Sequence, residues 1–239
     1  MDTKNIIQEL NSILNQEEIK MFMRLQEIIS VLNKSSNLTR LINGKDYWVS
    51  QIYDSIWPYF EDKSHDFHKK KYIDIGSGCG FPGLAYAITH PNSEVYLVDS
   101  SRKKTDALKK IINEMDLKNT IYIINDRIEN LARNGQYRHK FDIATARAVA
   151  KTPTLAEYLL PILNKGGIGI LYCGKWNMKE QEKLDNSLNI LNGSIKKIVS
   201  KLLPANKGER NVVFIQPNSK CPDIYPRKAG KPSKYPLGN

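Results

Sequence analysis

The stretch Tyr72-Ile73-Asp74-Ile75-Gly76-Ser77-Gly78-Cys79-Gly80-Phe81-Pro82-Gly83 decides how the rest of the chain is read. A short apolar-rich run enters a loop with glycine at alternate positions. Leu84 to Ile88, apolar and small, follows with helical potential. The order reads as strand, tight turn, helix. Glycine in such a turn adopts backbone angles that other residues resist, and it lets a ligand approach the main chain. The helix behind it offers unpaired N–H groups and a partial positive charge.

The next unit gives the loop its meaning. Glu94-Val95-Tyr96-Leu97-Val98 reads as a second strand, and it ends in Asp99. In nucleotide-binding α/β folds an acidic residue about 20 positions past the glycines grips the ribose hydroxyls. Here Asp99 stands 23 positions after Gly76. The loop is G-x-G-x-G, not the G-x-G-x-x-G of dinucleotide enzymes, which disfavours a nicotinamide oxidoreductase. It suits a ligand with an adenosine and no pyrophosphate, such as S-adenosylmethionine. The competing reading is a glycine-rich turn of an ordinary α/β protein.

Outward from this centre the chain alternates. Strands are expected at 72–76, 94–98, 120–124, 141–146, 167–173, 195–202 and 210–216, with helices at 82–89, 102–116, 152–163 and 177–190 and a helical turn near 127–132. This pattern implies a mostly parallel sheet with helices on both faces. Pro153 near a helix start and Gly166-Gly167 after a helix end read as punctuation. Upstream, residues 4–34 are helical by period. Ile6, Ile7, Leu10, Ile13 and Leu14 mark one amphipathic face, and Ile19, Phe22, Met23, Leu25, Ile28, Ile29 and Leu32 mark the next. A third helix from about Asp46 to Phe60 carries Trp48, Val49, Ile52, Tyr53, Ile56 and Trp57, a face that packs this helical cap onto the main domain. The division expected is a cap over 1–60, a Rossmann-like domain over 71–217 and a basic, Pro-rich tail over 218–239.

The 239 residues carry a net charge of +11, which points to a polyanionic partner. From Lys196 onward ten Lys or Arg stand against Glu209 and Asp223, so much of the excess lies near the C-terminus. The tail is expected to be extended and weakly structured. Its Tyr225 and Tyr235 interleave with cations, which supplies stacking and phosphate contacts for single-stranded RNA. The alternative is a solubilising tail. No apolar run approaches the ~20 residues of a membrane span, and the N-terminus lacks a signal peptide's pattern, so a cytoplasmic location and no membrane partner are expected. Cys79, Cys173 and Cys221 fit neither a disulfide framework nor zinc spacing, and Cys79 reads as a loop-filling residue rather than a nucleophile. His65, His68, His90 and His139 read as surface residues with no metal-ligand spacing. No metal is expected.

In open α/β sheets ligands bind beyond the carboxyl ends of the strands. Those ends supply Phe81, then Asp99-Ser100-Ser101-Arg102, then Asn125-Asp126-Arg127-Ile128-Glu129. A polar group after the third strand is placed to bond an adenine amine, with Ile128 against the adenine face. Glu129 also reads as a solvated carboxylate. The fourth strand ends in Thr145-Ala146-Arg147-Ala148-Val149, the position facing both a reactive methyl group and its acceptor. The Asn- or Asp-Pro-Pro-aromatic motif that polarises exocyclic amines is missing there. Arg147 is a cation able to bond a base edge, a phosphate or a carboxylate, or to serve as a structural ion pair. A ring nitrogen such as guanine N7 has a lone pair and no proton, so it needs no general base. Catalysis by Arg147 would then be positioning.

Taken together, the chain resembles the ribosomal RNA small-subunit methyltransferase G family, also called the glucose-inhibited division protein B family. The resemblance is carried by Asn37-Leu38-Thr39, Asp54-Ser55, Asp74-Ile75-Gly76-Ser77-Gly78, Gly80-Phe81-Pro82-Gly83, Asp99-Ser100 with Arg102-Lys103, Arg127-Ile128-Glu129, Ala146-Arg147-Ala148 and Gly208-Glu209-Arg210. Tyr225-Pro226-Arg227-Lys228 looks like the end of longer members. The resemblance implies an α/β class I S-adenosylmethionine-dependent methyltransferase fold, with a seven-stranded mostly parallel sheet and an N-terminal helical cap. It implies N7-methylation of one guanosine in 16S rRNA, with the small ribosomal subunit as partner; apart from the resemblance, a monomer is expected, though the sequence leaves the oligomeric state open. Gly76, Phe81, Ile128, Glu129 and Arg147 would contact the cofactor. Gly78, Gly80 and Asp99 join them by the logic of the loop. Lys175, Arg210, Arg227, Lys228, Lys231 and Lys234 are the expected RNA contacts.

Two positions depart from the family pattern. Gln51 stands where His is expected ahead of the Ile-x-Asp-Ser run, and Gly174-Lys175 reverses an expected Lys-Gly order. Two rival functions stay open: a methyltransferase on another RNA or a small molecule, and a non-enzymatic RNA-binding protein on the same fold. The basic tail argues against a small molecule, and the intact loop and Asp99 argue against loss of the enzyme.

Overall fold

The computed structural model describes residues 3–61, 66–68 and 70–238. Two helices open it, α1 (Thr3–Leu10) and α2 (Gln16–Ser36). Asn15 starts α2 through a reciprocal capping box with Glu18, and Asn37 ends it in the left-handed conformation. Asn33 accepts from the amides of Leu38 and Thr39 and donates to the Thr39 carbonyl, so Asn37-Leu38-Thr39 is a built helix stop.

The expected third helix is broken in three: α3 (Gly44–Tyr47), a π-helical stretch (Trp48–Tyr53) and α4 (Asp54–Glu61). π turns widen the helix and often occur at functional sites. The cap's apolar face is buried or, at Ile7, Ile13, Leu32 and Tyr53, partly buried, whereas Met23 is exposed.

The sheet follows. Its strands and helices are β1 (Lys71–Ile75), α5 (Gly83–Thr89), β2 (Glu94–Val98), α6 (Arg102–Glu114), β3 (Thr120–Ile124), α7 (Ile128–Leu131), β4 (Phe141–Arg147), α8 (Thr152–Leu159), β5 (Leu163–Cys173), α9 (Met178–Ile190), β6 (Gly193–Leu202) and β7 (Glu209–Pro217). A short α10 (Lys231–Lys234) ends the chain. The seven strands lie in the order β3-β2-β1-β4-β5-β7-β6. The first five run parallel, and β7 is antiparallel to β5 and β6. Successive side chains point to opposite faces of a strand. Tyr72, Ile143 and Phe214 therefore face the core shared with the cap, α5 and α6, whereas Ile73, Ala144 and Ile215 face the core under α8 and α9. A central parallel strand is buried on both faces, and β1 is buried from Tyr72 to Ile75, Asp74 included.

Three further expectations need correction. β5 begins at Leu163, so Gly166 and Gly167 lie inside the strand and not after a helix. His90 is buried and stacks on Tyr86 at 4.4 Å, while His65 lies outside the described residues. Burial lowers the His90 pKa to about 4, so that ring sits there neutral.

The largest correction concerns residues 218–238, which pack onto the domain instead of trailing from it. Proline-rich backbone has carbonyls with no ladder to join, and buried carbonyls need donors. Arg138 provides them, donating to the carbonyls of Tyr225 (2.7 Å), Cys221 (2.9 Å) and Pro222 (3.1 Å). Arg133 donates to that of Pro226 at 2.8 Å. Near the end Gly238 lies so close to α9 that a Cβ would stand 2.7 Å from the Ser187 nitrogen.

Candidate active site

Asp74 organises the glycine loop. It is fully buried; its Oδ2 accepts from the Gly83 amide (3.1 Å) and its Oδ1 from the Thr145 hydroxyl (3.0 Å). Burial raises its pKa to about 6 against the pull of these bonds. Tyr72 in turn meets the Thr145 hydroxyl at 2.7 Å. The loop is also stitched to β2: the amides of Gly76 and Ser77 both donate to the Val98 carbonyl. Gly76, Gly78 and Gly80 all have positive φ, at 71°, 58° and 106°. A Cβ on Gly76 would come within 2.5 Å of Val149, and one on Gly80 within 2.4 Å of Leu84. The space above Gly78 holds only the Gly76 carbonyl, at 3.8 Å, so a ligand can reach the main chain.

A first cleft, open to solvent, lies beside this loop. It gathers Gly76, Asp99, Ile128 and Glu129, four of the expected cofactor residues, with Tyr158 and Ser233 beside them. Asp99 accepts from the amides of Gly78 (3.0 Å) and Ser101 (2.8 Å), one on each carboxylate oxygen. A carboxylate has about four acceptor sites, so each oxygen keeps capacity for a ribose hydroxyl. Glu129 is buried, not the solvated carboxylate of the competing reading. The donor set and the open backbone fit an adenosine-bearing cofactor.

Phe81 and Arg147 stand apart from that cleft. Phe81 turns toward the cap and meets Tyr47 edge-on at 6.1 Å. Cys79 is buried near Gln51 Nε2, 3.8 Å away, and burial holds its thiol above the usual value, which suits a filler and not a nucleophile.

Arg147 belongs to a second cleft, open to solvent, with Ser50, Asp54, Tyr172 and Arg210 on its walls. Its guanidinium donates to Asp54 Oδ2 (3.2 Å), to the Ser50 carbonyl (3.3 Å) and, in a short contact, to Gln51 Oε1. All three partners sit in or beside the π stretch. Gln51 reaches on to the Thr39 hydroxyl at 3.2 Å, so the motif Asn37-Leu38-Thr39 ends as a support for Arg147. Asp54 Oδ1 is buried and has no hydrogen-bond partner among the described residues, with Arg210 Nε 3.7 Å away. Burial pushes the Asp54 pKa up, and the two arginines pull it back. Sequence reading missed Gln51, Thr39 and Asp54 as parts of the site. The motif residues were the available signal, since Gln51 and Asp54 on the buried face of a cap helix, and Thr39 in the connection before it, need partners.

Of the expected RNA contacts, Lys175, Lys228, Lys231 and Lys234 are exposed, and Arg210 is half-buried beside Asp54. Arg227 is different. Its guanidinium clamps the fully buried Glu157 on α8, at 2.6 and 3.1 Å to Oε2 and 2.9 Å to Oε1, which takes it away from a phosphate role. Glu157 inside the apolar run Leu155 to Leu160 was the sequence signal, because a lone carboxylate there demands a cation. Among the described residues no three His, Cys, Asp or Glu side chains gather as metal ligands, and no helix is long and apolar enough to cross a membrane.

Residues 18–213 match the family model described as GidB, rRNA small subunit methyltransferase G. A protein of Prochlorococcus marinus subsp. pastoris named ribosomal RNA small subunit methyltransferase G is 57% identical over 237 residues, 99% of each chain. A second, from Prochlorococcus marinus strain NATL2A and of the same name, is 45% identical over 230 residues, 96% of this chain and 93% of that one. Among solved structures, P. horikoshii TYW2 in complex with MeSAdo superposes with a TM-score of 0.54 at 13% identity, covering 71% of this chain and 64% of that one, a likeness of fold.

Proposed function

We propose that this chain methylates N7 of a guanosine in 16S rRNA, on the premise that it belongs to the rRNA small subunit methyltransferase G family. S-adenosylmethionine is the methyl donor, and it supplies a sulfonium methyl group. The observation that carries the reading is the segment Arg147-Ala148-Val149. Val149 lines the first cleft, Arg147 and Ala148 line the second, so one short run of backbone separates a cofactor site from an acceptor site.

The tasks left to the protein follow from the chemistry. Guanine N7 has a lone pair and no proton, so no general base is required. What matters is holding the acceptor in line and keeping water out. An enzyme acting on a base draws it from its stack into a pocket, and the second cleft, with apolar Ala148 and Tyr172 beside charged Asp54 and Arg210, supports that role. Gly76, Gly78, Asp99, Ile128 and Glu129 hold the cofactor. Gly80 and Phe81 shape the loop from behind. Arg147 positions the acceptor side. Lys175, Arg210, Lys228, Lys231 and Lys234 supply phosphate contacts to the rRNA, at a cytoplasmic small subunit.

The deciding experiment is transfer of labelled methyl groups from S-adenosylmethionine to small subunits lacking the modification, with the modified base then mapped. Label at N7 of a single 16S guanosine is the expected result. Label on another RNA, or none despite cofactor binding, overturns the acceptor assignment.

A further inference from the structure

We propose that the C-terminal segment around Arg227–Tyr235 is a wall of the cofactor cleft, and that the Arg227–Glu157 clamp positions Glu129 for the adenine amino group. The inference rests on the reading that S-adenosylmethionine occupies the first cleft.

Two arms of the segment converge on one oxygen. The Gly230 amide donates to Glu129 Oε1 at 2.8 Å. Ser233 meets the Tyr158 hydroxyl at 2.9 Å, and that hydroxyl donates to the same Oε1 at 3.3 Å. Among the described residues Oε2 accepts no hydrogen bond. A carboxylate held by one oxygen presents the other in a set direction, and a free acceptor oxygen is what an exocyclic amine requires. Ser233 itself lines the cleft.

The arms are held by Arg227. Besides clamping Glu157, it donates to the Tyr235 carbonyl at 2.7 Å, so one guanidinium closes the loop from 227 to 235 around Gly230. Its own amide also bonds Glu157 Oε1 at 2.8 Å. Thr154 on α8 fixes the far side by donating to the Pro232 carbonyl at 3.1 Å. Gly230 has φ 82°, a left-handed turn that glycine makes without strain and that aims its amide at Glu129. The base of the loop is an ion pair whose carboxylate is fully buried, an expensive arrangement for a tail whose only task is to solubilise or to sweep for RNA.

The test uses the full-length chain, titration calorimetry with S-adenosylmethionine and steady-state methyl transfer. Arg227→Ala should raise the Kd and KM for S-adenosylmethionine about tenfold or more, with a smaller loss in kcat at saturating cofactor. Arg227→Lys, which keeps the charge without the fork, should recover part of the affinity. Should Arg227→Ala fail to fold, Ser233→Ala removes the relayed arm from an exposed side chain and should raise Kd about threefold. In the wild type, cofactor should slow hydrogen exchange of the Gly230 amide. Wild-type Kd in the folded Arg227→Ala and Ser233→Ala variants, with only stability or active fraction reduced, would overturn the proposal. If the wild-type chain itself does not bind S-adenosylmethionine, the cofactor reading falls, and the proposal falls with it.

Discussion

Arg147 on the fourth strand and Asp54 in the cap form a 3.2 Å ion pair that joins the N-terminal helices to the carboxyl end of that strand. Both side chains are largely buried, at 15% and 9% exposure, so the pair is more than a surface contact. Arg147→Ala should lower turnover about 100-fold or more, because misplacement near 1 Å in a positioning site costs that much. Arg147→Lys should not restore it, since Ser50, Gln51 and Asp54 take a planar fork. Single-turnover methyl transfer measures this. Full activity in Arg147→Ala would leave the pair a structural one.

Gly78→Val should abolish cofactor binding with the fold retained. The substitution imposes φ 58° on a β-branched residue and adds bulk in the one open part of the loop. Gly135→Ala, where nothing lies within 4 Å of the new carbon, is the control and should be neutral. Calorimetry with S-adenosylmethionine and circular dichroism separate binding from folding, and wild-type affinity in Gly78→Val would sink the loop assignment.

Asp74 predicts a pH dependence of stability. Its pKa rises from 3.8 to about 6 on folding, mainly through burial. Between those values the folded chain keeps a proton that the unfolded chain has released, so stability falls as pH rises through the window and levels off above it. The share is on the order of 2–3 kcal/mol. Asp54 shifts in the same direction, so the wild-type slope contains both groups. In urea melts from pH 4 to 7, Asp74→Asn should show a shallower fall than the wild type. An unchanged slope would assign the titration to other residues.

Arg138→Ala should destabilise the chain by roughly 2–4 kcal/mol, because hydrogen bonds from a charged donor to four carbonyls are lost together. At this chain length that is a fall in Tm of about 4–16 °C. Scanning calorimetry reads it, and a Tm unchanged within a degree would mean the C-terminal segment adds no stability.

Binding to 16S rRNA should weaken linearly in a plot of log affinity against log salt. Replacing Lys228, Lys231 and Lys234 together by Ala should reduce the slope by about two, at roughly 0.7 per single-strand phosphate contact. Cofactor affinity is the internal control, since it reports the Glu129 side of the same segment. An unchanged slope would move the RNA surface away from these lysines.

Patterns local in the chain carried much of the architecture. Alternating β and α segments, the glycine spacing and Asp99 each encode their own conformation, so the parallel sheet and the nucleotide-type loop were legible from residues close in sequence. The family motifs added the chemistry. What local pattern did not carry was partnership. Gln51 and Asp54 read as part of an amphipathic helix, and only the sheet's Arg147, more than 90 positions away, turns them into a site. The C-terminal segment misled for the same reason. Prolines and lysines signal an open chain when its own neighbours are counted, but its carbonyls and Arg227 find Arg138 and Glu157, 70 to 87 positions away. Buried polar groups must be paired wherever the partner lies in sequence, and that pairing exists only once the sheet has brought distant segments together.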